Sequence, residues 1–240
     1  MRKNLCRIFS GFTLTVFVPL CIVLWFSSCN VQKAGSADLV RFVQFNIWEL
    51  STEKLTDVDS SGVGRNAQLK AAAAIIRNIN PDVLVVNEID HDIDALSAGH
   101  DLSLNAQRFI DAYLNRGENP LSYPHIYTAP CNTGMLSGKD LDNNGLVATE
   151  ADRGSRDYGG DCYGYGSYPG QYSMAVLSRF PLQQDGIRTF QNFLWKDLPD
   201  NLIPGDWYSA DEIDIFRLSS KSHWDIPVKI GDKVIHLLVS

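Results

Sequence analysis

Beyond residue 29 the chain holds only two cysteines, Cys131 and Cys162, because the other three of its five fall in the first 29 residues. So few exclude a scaffold stapled by several disulfides. Basic residues are also scarce: 21 Lys and Arg face 28 Asp and Glu, and three of the 21 lie in the first seven residues. The remainder carries 18 basic against 28 acidic side chains, a net charge near −10. An acidic surface repels polyanions, so indiscriminate binding to nucleic acid, which needs many Lys and Arg on phosphates, is disfavoured. A local cationic site stays compatible with this balance. No internal repeat is visible. Acidic residues are missing altogether before Asp38.

That last gap marks an export leader. Arg2, Lys3 and Arg7 precede an uncharged apolar run over residues 8–26. The pattern is that of a signal segment, removed from fold reasoning, with the basic end kept in the cytoplasm. Phe26-Ser27-Ser28-Cys29 resembles the lipobox of bacterial lipoproteins, in which the cysteine is acylated and becomes the new N-terminus. The run of 19 residues is also long enough to approach a membrane span, so an uncleaved transmembrane anchor is the alternative. Either way the protein is expected in the bacterial cell envelope, membrane-anchored, with everything after residue 29 facing outward. In that oxidising setting a Cys131–Cys162 disulfide is expected, against two free buried thiols. Residues 1–28 read as leader, 29–38 as tether and 39–240 as one domain, long enough for a full α/β core.

Residues 39–48 are rich in Val, Phe and Ile and read as a strand, followed by a Ser, Asp and Gly loop over 49–65. From Asn66 the period changes: Leu69, Ala72, Ala73, Ile76 and Ile79 line one helical face, ended by Asn80-Pro81. Residues 82–88 are then apolar on both faces, as in a central strand. Strand, helix and buried strand in this order form a crossover with parallel strands, so Asn46 and Glu88 reach the same sheet edge, where open α/β sheets place ligands. A second helix is expected from Ser103 as N-cap to Gly117 as stop. Residues 129–171, dense in Gly, Tyr, Asp and Asn, are too long for an idle connection and are expected to be functional or held by a disulfide or an ion. Strands are expected over 172–178 and 188–195, with a terminal hairpin about Gly231-Asp232-Lys233. The run from Val234 to Ser240 reads as a strand buried on both sides; it stops without turn or polar tail, so the 240 residues are expected to be part of a longer protein.

Glu88 is the foremost chemical candidate. A carboxylate at the end of a rigid buried strand suits a hard cation, Mg²⁺ or Mn²⁺; the bland reading is that Glu88 and Asp90 form a wet rim. Asn46 could equally satisfy a turn after its strand. Asp140, Asp142 and Asn144 match the opening of a calcium loop, but the acid expected six residues after Gly145 is Ala151, and a solvated turn is the alternative. Lys221, Ser222 and His223 could meet a phosphate, or form an ordinary surface segment.

Three segments, Phe42-Val-Gln-Phe-Asn-Ile-Trp48, Asp82-Val-Leu-Val-Val-Asn-Glu-Ile89 and Tyr172-Ser-Met-Ala-Val-Leu-Ser-Arg-Phe-Pro-Leu182, resemble in order and spacing the endonuclease/exonuclease/phosphatase superfamily. The resemblance covers roughly residues 39–240. It implies a two-sheet α/β sandwich, truncated before its C-terminal half, and a metal site in which Glu88 binds the cation and Asn46 helps position metal or phosphate. Family members complete that site with a His after a strand ending much like Ile235-His-Leu-Leu-Val-Ser240, an Asp and Asn pair, and a final Asp and His, none of which is present. His236 reads as a core or sheet-face residue, not a substitute. The implied activity is metal-dependent in-line hydrolysis of a phosphoester by a monomer; the acidic surface modestly favours a small phosphoester or lipid headgroup over nucleic acid. The rival reading is a catalytically inactive surface binding module on the same fold, with the Gly/Tyr/Asp loop as its recognition surface.

Overall fold

The computed structural model describes residues 39–240, so the leader, Cys29 and the tether lie outside the described residues. Two sheets form the frame. The first has the order β1-β2-β4-β3 and the second β5-β6-β7. Strand β1 (Phe42–Leu50) runs parallel to β2 (Val83–Ile89) with Asn46 opposite Asn87, as the crossover pattern requires. Strand β4 (Ser173–Ser178) is antiparallel to β2, and the short β3 (His125–Tyr127) pairs with β4.

Period-2 alternation splits β2 between two cores. Leu84 and Val86 pack with Leu69, Ile76, Phe109 and Tyr113 of the helical layer. Val83 and Val85 turn the other way, with Met174 and Val176, onto Trp224, Ile226 and Val228 of the second sheet. That apolar contact joins the sheets into an α/β sandwich. The crossover helix, here α2 (Ala67–Ile79), follows the short α1 (Thr52–Thr56), which interrupts the expected loop over 49–65. The Asn66 side chain accepts from the Leu69 N–H, and Asn80 ends the helix in the left-handed region. Of its apolar stripe, Ile79 alone lies largely at the surface.

Several expectations are corrected. The helix expected from Ser103 to Gly117 comprises α4 (Leu104–Phe109), after α3 (Ile93–Ser97), and then a π-helical turn over Ile110–Leu114. Ser103 is the N-cap residue as expected, but its hydroxyl bonds the Asp101 carboxylate and caps no helix N–H. Arg77 reaches across to the Tyr113 carbonyl in the widened turn. The strand expected over 188–195 shrinks to β5 (Arg188–Thr189), since the chain turns at once, the Phe193 N–H donating to the Phe190 carbonyl at 3.2 Å. The terminal hairpin forms, with β6 (Trp224–Ile230) and β7 (Lys233–Val239) joined through Gly231 at φ +58°. Strand β7 is not buried, however: among the described residues it is an edge strand, and Val234, Ile235 and Leu238 are exposed. His236 sits on its sheet face, bonded to Asp225 at 2.6 Å.

The long loop over 129–171 is organised without a disulfide. Cys131 and Cys162 are free, buried thiols. Each has another partner: Cys131 Sγ lies 2.9 Å from Thr133 Oγ1, while Cys162 faces Leu136 across a β-bridge and donates to the Tyr158 carbonyl. The loop is held by polar groups buried inside it, chiefly Tyr158, whose hydroxyl donates to Gly134 O, and Asp161. Two further short helices, α5 (Arg156–Gly160) and α6 (Ala210–Ile213), complete the described fold. Among the described residues no helix is long and apolar enough to cross a membrane.

Candidate active site

The parallel pairing of β1 and β2 brings Asn46 and Glu88 together. Asn46 Nδ2 donates to Glu88 Oε1 at 2.8 Å, and the Glu49 N–H donates to Glu88 Oε2 at 3.2 Å. Asn46 Oδ1 meanwhile accepts from the Trp48 N–H at 2.9 Å. These contacts exist because both strands break register at their ends, between Asn46 and Leu50 and between Asn87 and Ile89. At the breaks Trp48, Glu49 and Glu88 take positive φ of 33°, 59° and 63°. A bulge re-aims side chains and costs backbone energy, which the surrounding ladder must offset. A half-buried carboxylate results, held by two donors and turned out of the strand's alternation.

The residues after Glu88 are not a wet rim. Asp90 is buried, accepting from the Tyr168 hydroxyl and from the Tyr172 N–H at 2.9 Å. Burial raises its carboxyl above the usual range, against those two hydrogen bonds. His91 is buried against Ser173 Oγ at 2.9 Å, and desolvation pushes its imidazole down to about 4. Asp92 caps α3 and pairs with Arg108.

Lys221 arrives from far along the chain. Its ammonium donates to the Tyr172 carbonyl, lies 5.8 Å from the Tyr172 ring and feels the charges of Glu88 and Asp90. Glu49, Lys54, Asp57, Tyr168 and Gln171 line an adjoining cleft of about 610 Å³.

The expected calcium loop assembles differently. Asp140 and Asp142 come within 4.8 Å of Asp161, a buried residue that spacing gave no reason to include. Asn144 instead turns its amide to Asp142 and Asp157. Asp161 accepts from the Leu141 and Ala148 N–H groups, so its carboxylate already organises the loop backbone.

Besides the cluster of Asp140, Asp142 and Asp161, Glu88 could hold a hard divalent cation. It offers an anionic oxygen at a preorganised strand end, and Mg²⁺ characteristically takes one or two carboxylates and keeps several waters. Asn46, with its amide nitrogen toward Glu88, holds that carboxylate in place.

Comparison with known proteins gives the family. The model of the endonuclease/exonuclease/phosphatase family matches residues 43–216, and the chain belongs to that family. Its members generally hydrolyse phosphoesters and depend on a divalent metal ion. Among solved structures, TDP2 from Caenorhabditis elegans is 16% identical with a TM-score of 0.31, over 83% of this chain and 34% of that one. An endonuclease/exonuclease/phosphatase from Beutenbergia cavernae DSM 12333 is 18% identical with a TM-score of 0.34, over 83% and 37%. The chain thus spans about a third of the length of either structure. No curated protein matches.

Proposed function

We propose that the whole protein is an exported, membrane-anchored hydrolase that cleaves a phosphoester with Mg²⁺ or Mn²⁺ held at Glu88. The observation that carries this reading is the 2.8 Å contact of Asn46 with Glu88 at the joined ends of two parallel strands, built on strained backbone. When bound, the cation supplies Lewis-acid polarisation of a phosphoryl oxygen and stabilises the leaving oxygen. Glu88 holds it. Asn46 and the Glu49 N–H orient the carboxylate. The Tyr168 hydroxyl and the Tyr172 N–H bond Asp90 and so fix the segment that follows Glu88.

Activation of water we assign to a histidine beyond Ser240, oriented by a later aspartate. One contact supports that placement: Asn87 Nδ2 donates to Ser240 O at 3.3 Å, so β7 leads toward the residue beside Glu88. The acidic balance favours a small phosphoester or lipid headgroup over nucleic acid, and we take the protein to act as a monomer.

The test is hydrolysis of bis-nitrophenyl phosphate by the whole protein with Mg²⁺. Glu88→Gln, which keeps size but removes the anionic ligand, should lower the rate by a factor on the order of a hundred or more. Residues 1–240 alone should be no faster than buffer. Unchanged activity in Glu88→Gln removes Glu88 from the mechanism; an inert wild type that still binds a surface ligand favours the binding-module reading.

A further inference from the structure

We infer that Lys221 is the phosphate-contacting cation of this site, neutralising a non-bridging oxygen of the bound phosphoester. The inference rests on the hydrolase reading above and extends it to the anion.

The first ground is where Lys221 is held. Ser173 pairs with Ile89 across β2 and β4, so Tyr172 stands beside the segment that follows Glu88. Tyr172 has φ +56°, and in that conformation its N–H points to Asp90 while its carbonyl accepts from Lys221 Nζ. One residue thus ties the lysine to the carboxylate edge. The backbone before the ammonium is fixed as well. The Asn132 N–H donates to Lys221 O at 2.8 Å, and Gly164 packs so tightly on Ser220 that an added Cβ would lie 1.9 Å from its carbonyl oxygen.

The second ground is charge. Lys54, Lys139 and Lys196 each have a carboxylate within 4.0 Å; among the described residues Lys70, Lys221, Lys229 and Lys233 have none, and of these four only Lys221 is partly buried. It is partly withdrawn from water, and burial lowers its affinity for the proton. A desolvated ammonium bonded to one neutral carbonyl is costly unless an anion completes its shell. It has three N–H donors, and the Tyr172 carbonyl takes one. Glu88 and Asp90 attract it, yet neither carboxylate bonds it, so its two remaining N–H donors are left for an anion. A phosphoester oxygen has the required charge, size and acceptor capacity.

The experiment measures binding of inorganic phosphate to the whole protein by titration calorimetry at saturating Mg²⁺, with Mg²⁺ binding measured separately. Lys221→Met should weaken phosphate by about tenfold or more, the scale of one charge-assisted hydrogen bond. Mg²⁺ affinity should stay equal or rise, because a positive charge leaves the field of Glu88. Lys221→Gln can still donate to the Tyr172 carbonyl, so it separates a structural role from the charge; it should weaken phosphate to a similar degree. Lys221→Arg should recover part of the loss. Phosphate affinity unchanged in a folded Met or Gln variant overturns the assignment, as does a wild type that binds no phosphate. Lysine-dependent phosphate binding in a protein that hydrolyses no phosphoester upholds Lys221 and sinks the hydrolase reading instead.

Discussion

Replacing Asn46 by Asp tests the geometry of the site without requiring turnover. The donor that lies 2.8 Å from Glu88 Oε1 becomes a second carboxylate, nearly isosteric with the amide. At an effective dielectric of about 20, two unit charges 4 Å apart repel by roughly 4 kcal/mol. Asn46 is exposed, so solvent screening cuts this several-fold, and a destabilisation of about 1–2 kcal/mol at neutral pH is expected. For a domain of this size that is a fall in Tm of about 2–8 °C. The sign with pH follows from the charges: the penalty exists while both carboxylates are ionised and disappears as the pH falls and one takes up a proton. Asn46→Asp should therefore approach wild type near pH 4 and diverge from it toward pH 7. Divalent cations should oppose the loss, because a site with two carboxylates binds them more tightly and binding to the native state stabilises it. The assay is thermal melting across pH 4–8, with and without Mg²⁺. A variant that melts with wild type at pH 7, and gains nothing extra from Mg²⁺, would refute the contact and the cation site built on it.

Other outcomes follow from the same structure. His91 binds its proton near 4 in the fold against an ordinary 6.5, so the unfolded chain gains a proton over that window and stability drops as pH falls through it. Between pH 7.5 and 5 this amounts to about 2 kcal/mol, a slope that urea titrations should find missing in His91→Gln. Burial, with Asp161 and Glu150 nearby, pushes the Cys162 thiol up to about 12. Both Cys131 and Cys162 should resist alkylation in the native protein and react fully on denaturation without reductant; an intact mass showing them joined would reverse the free-thiol assignment. Outside the described residues, the proposed lipid anchor predicts that Cys29→Ala abolishes acylation and leaves an unprocessed precursor, whereas wild type that retains residues 1–28 without lipid would support the transmembrane anchor.

The part of this protein legible from residues alone is the part written in short periods. Apolar alternation and the change of period at Asn66 define β1, α2 and β2, and the crossover rule then sets Asn46 and Glu88 on one edge, because local pattern and chain direction suffice. The Gly231 turn is legible for the same reason. What surrounds Glu88 depends on contacts between distant segments. The positive φ at Trp48, Glu49 and Glu88 arises where two ladders lose register, which no single strand's pattern records. Asp90 reads as a solvent-facing rim until Tyr168 and Tyr172 cover it, some eighty residues later in the chain. Asp161 joins Asp140 and Asp142, and Leu136 stands opposite Cys162, because hydrogen bonding folded the loop where a cysteine count pointed to a disulfide. Strand β7 is as apolar as a core strand, yet exposure is decided by neighbours, and among the described residues it has only β6. Composition and period determine which segments become strands and helices, while tertiary packing alone decides which polar side chains meet, since the Tyr168 hydroxyl and the Asp90 carboxylate, 78 positions apart, share no local signal.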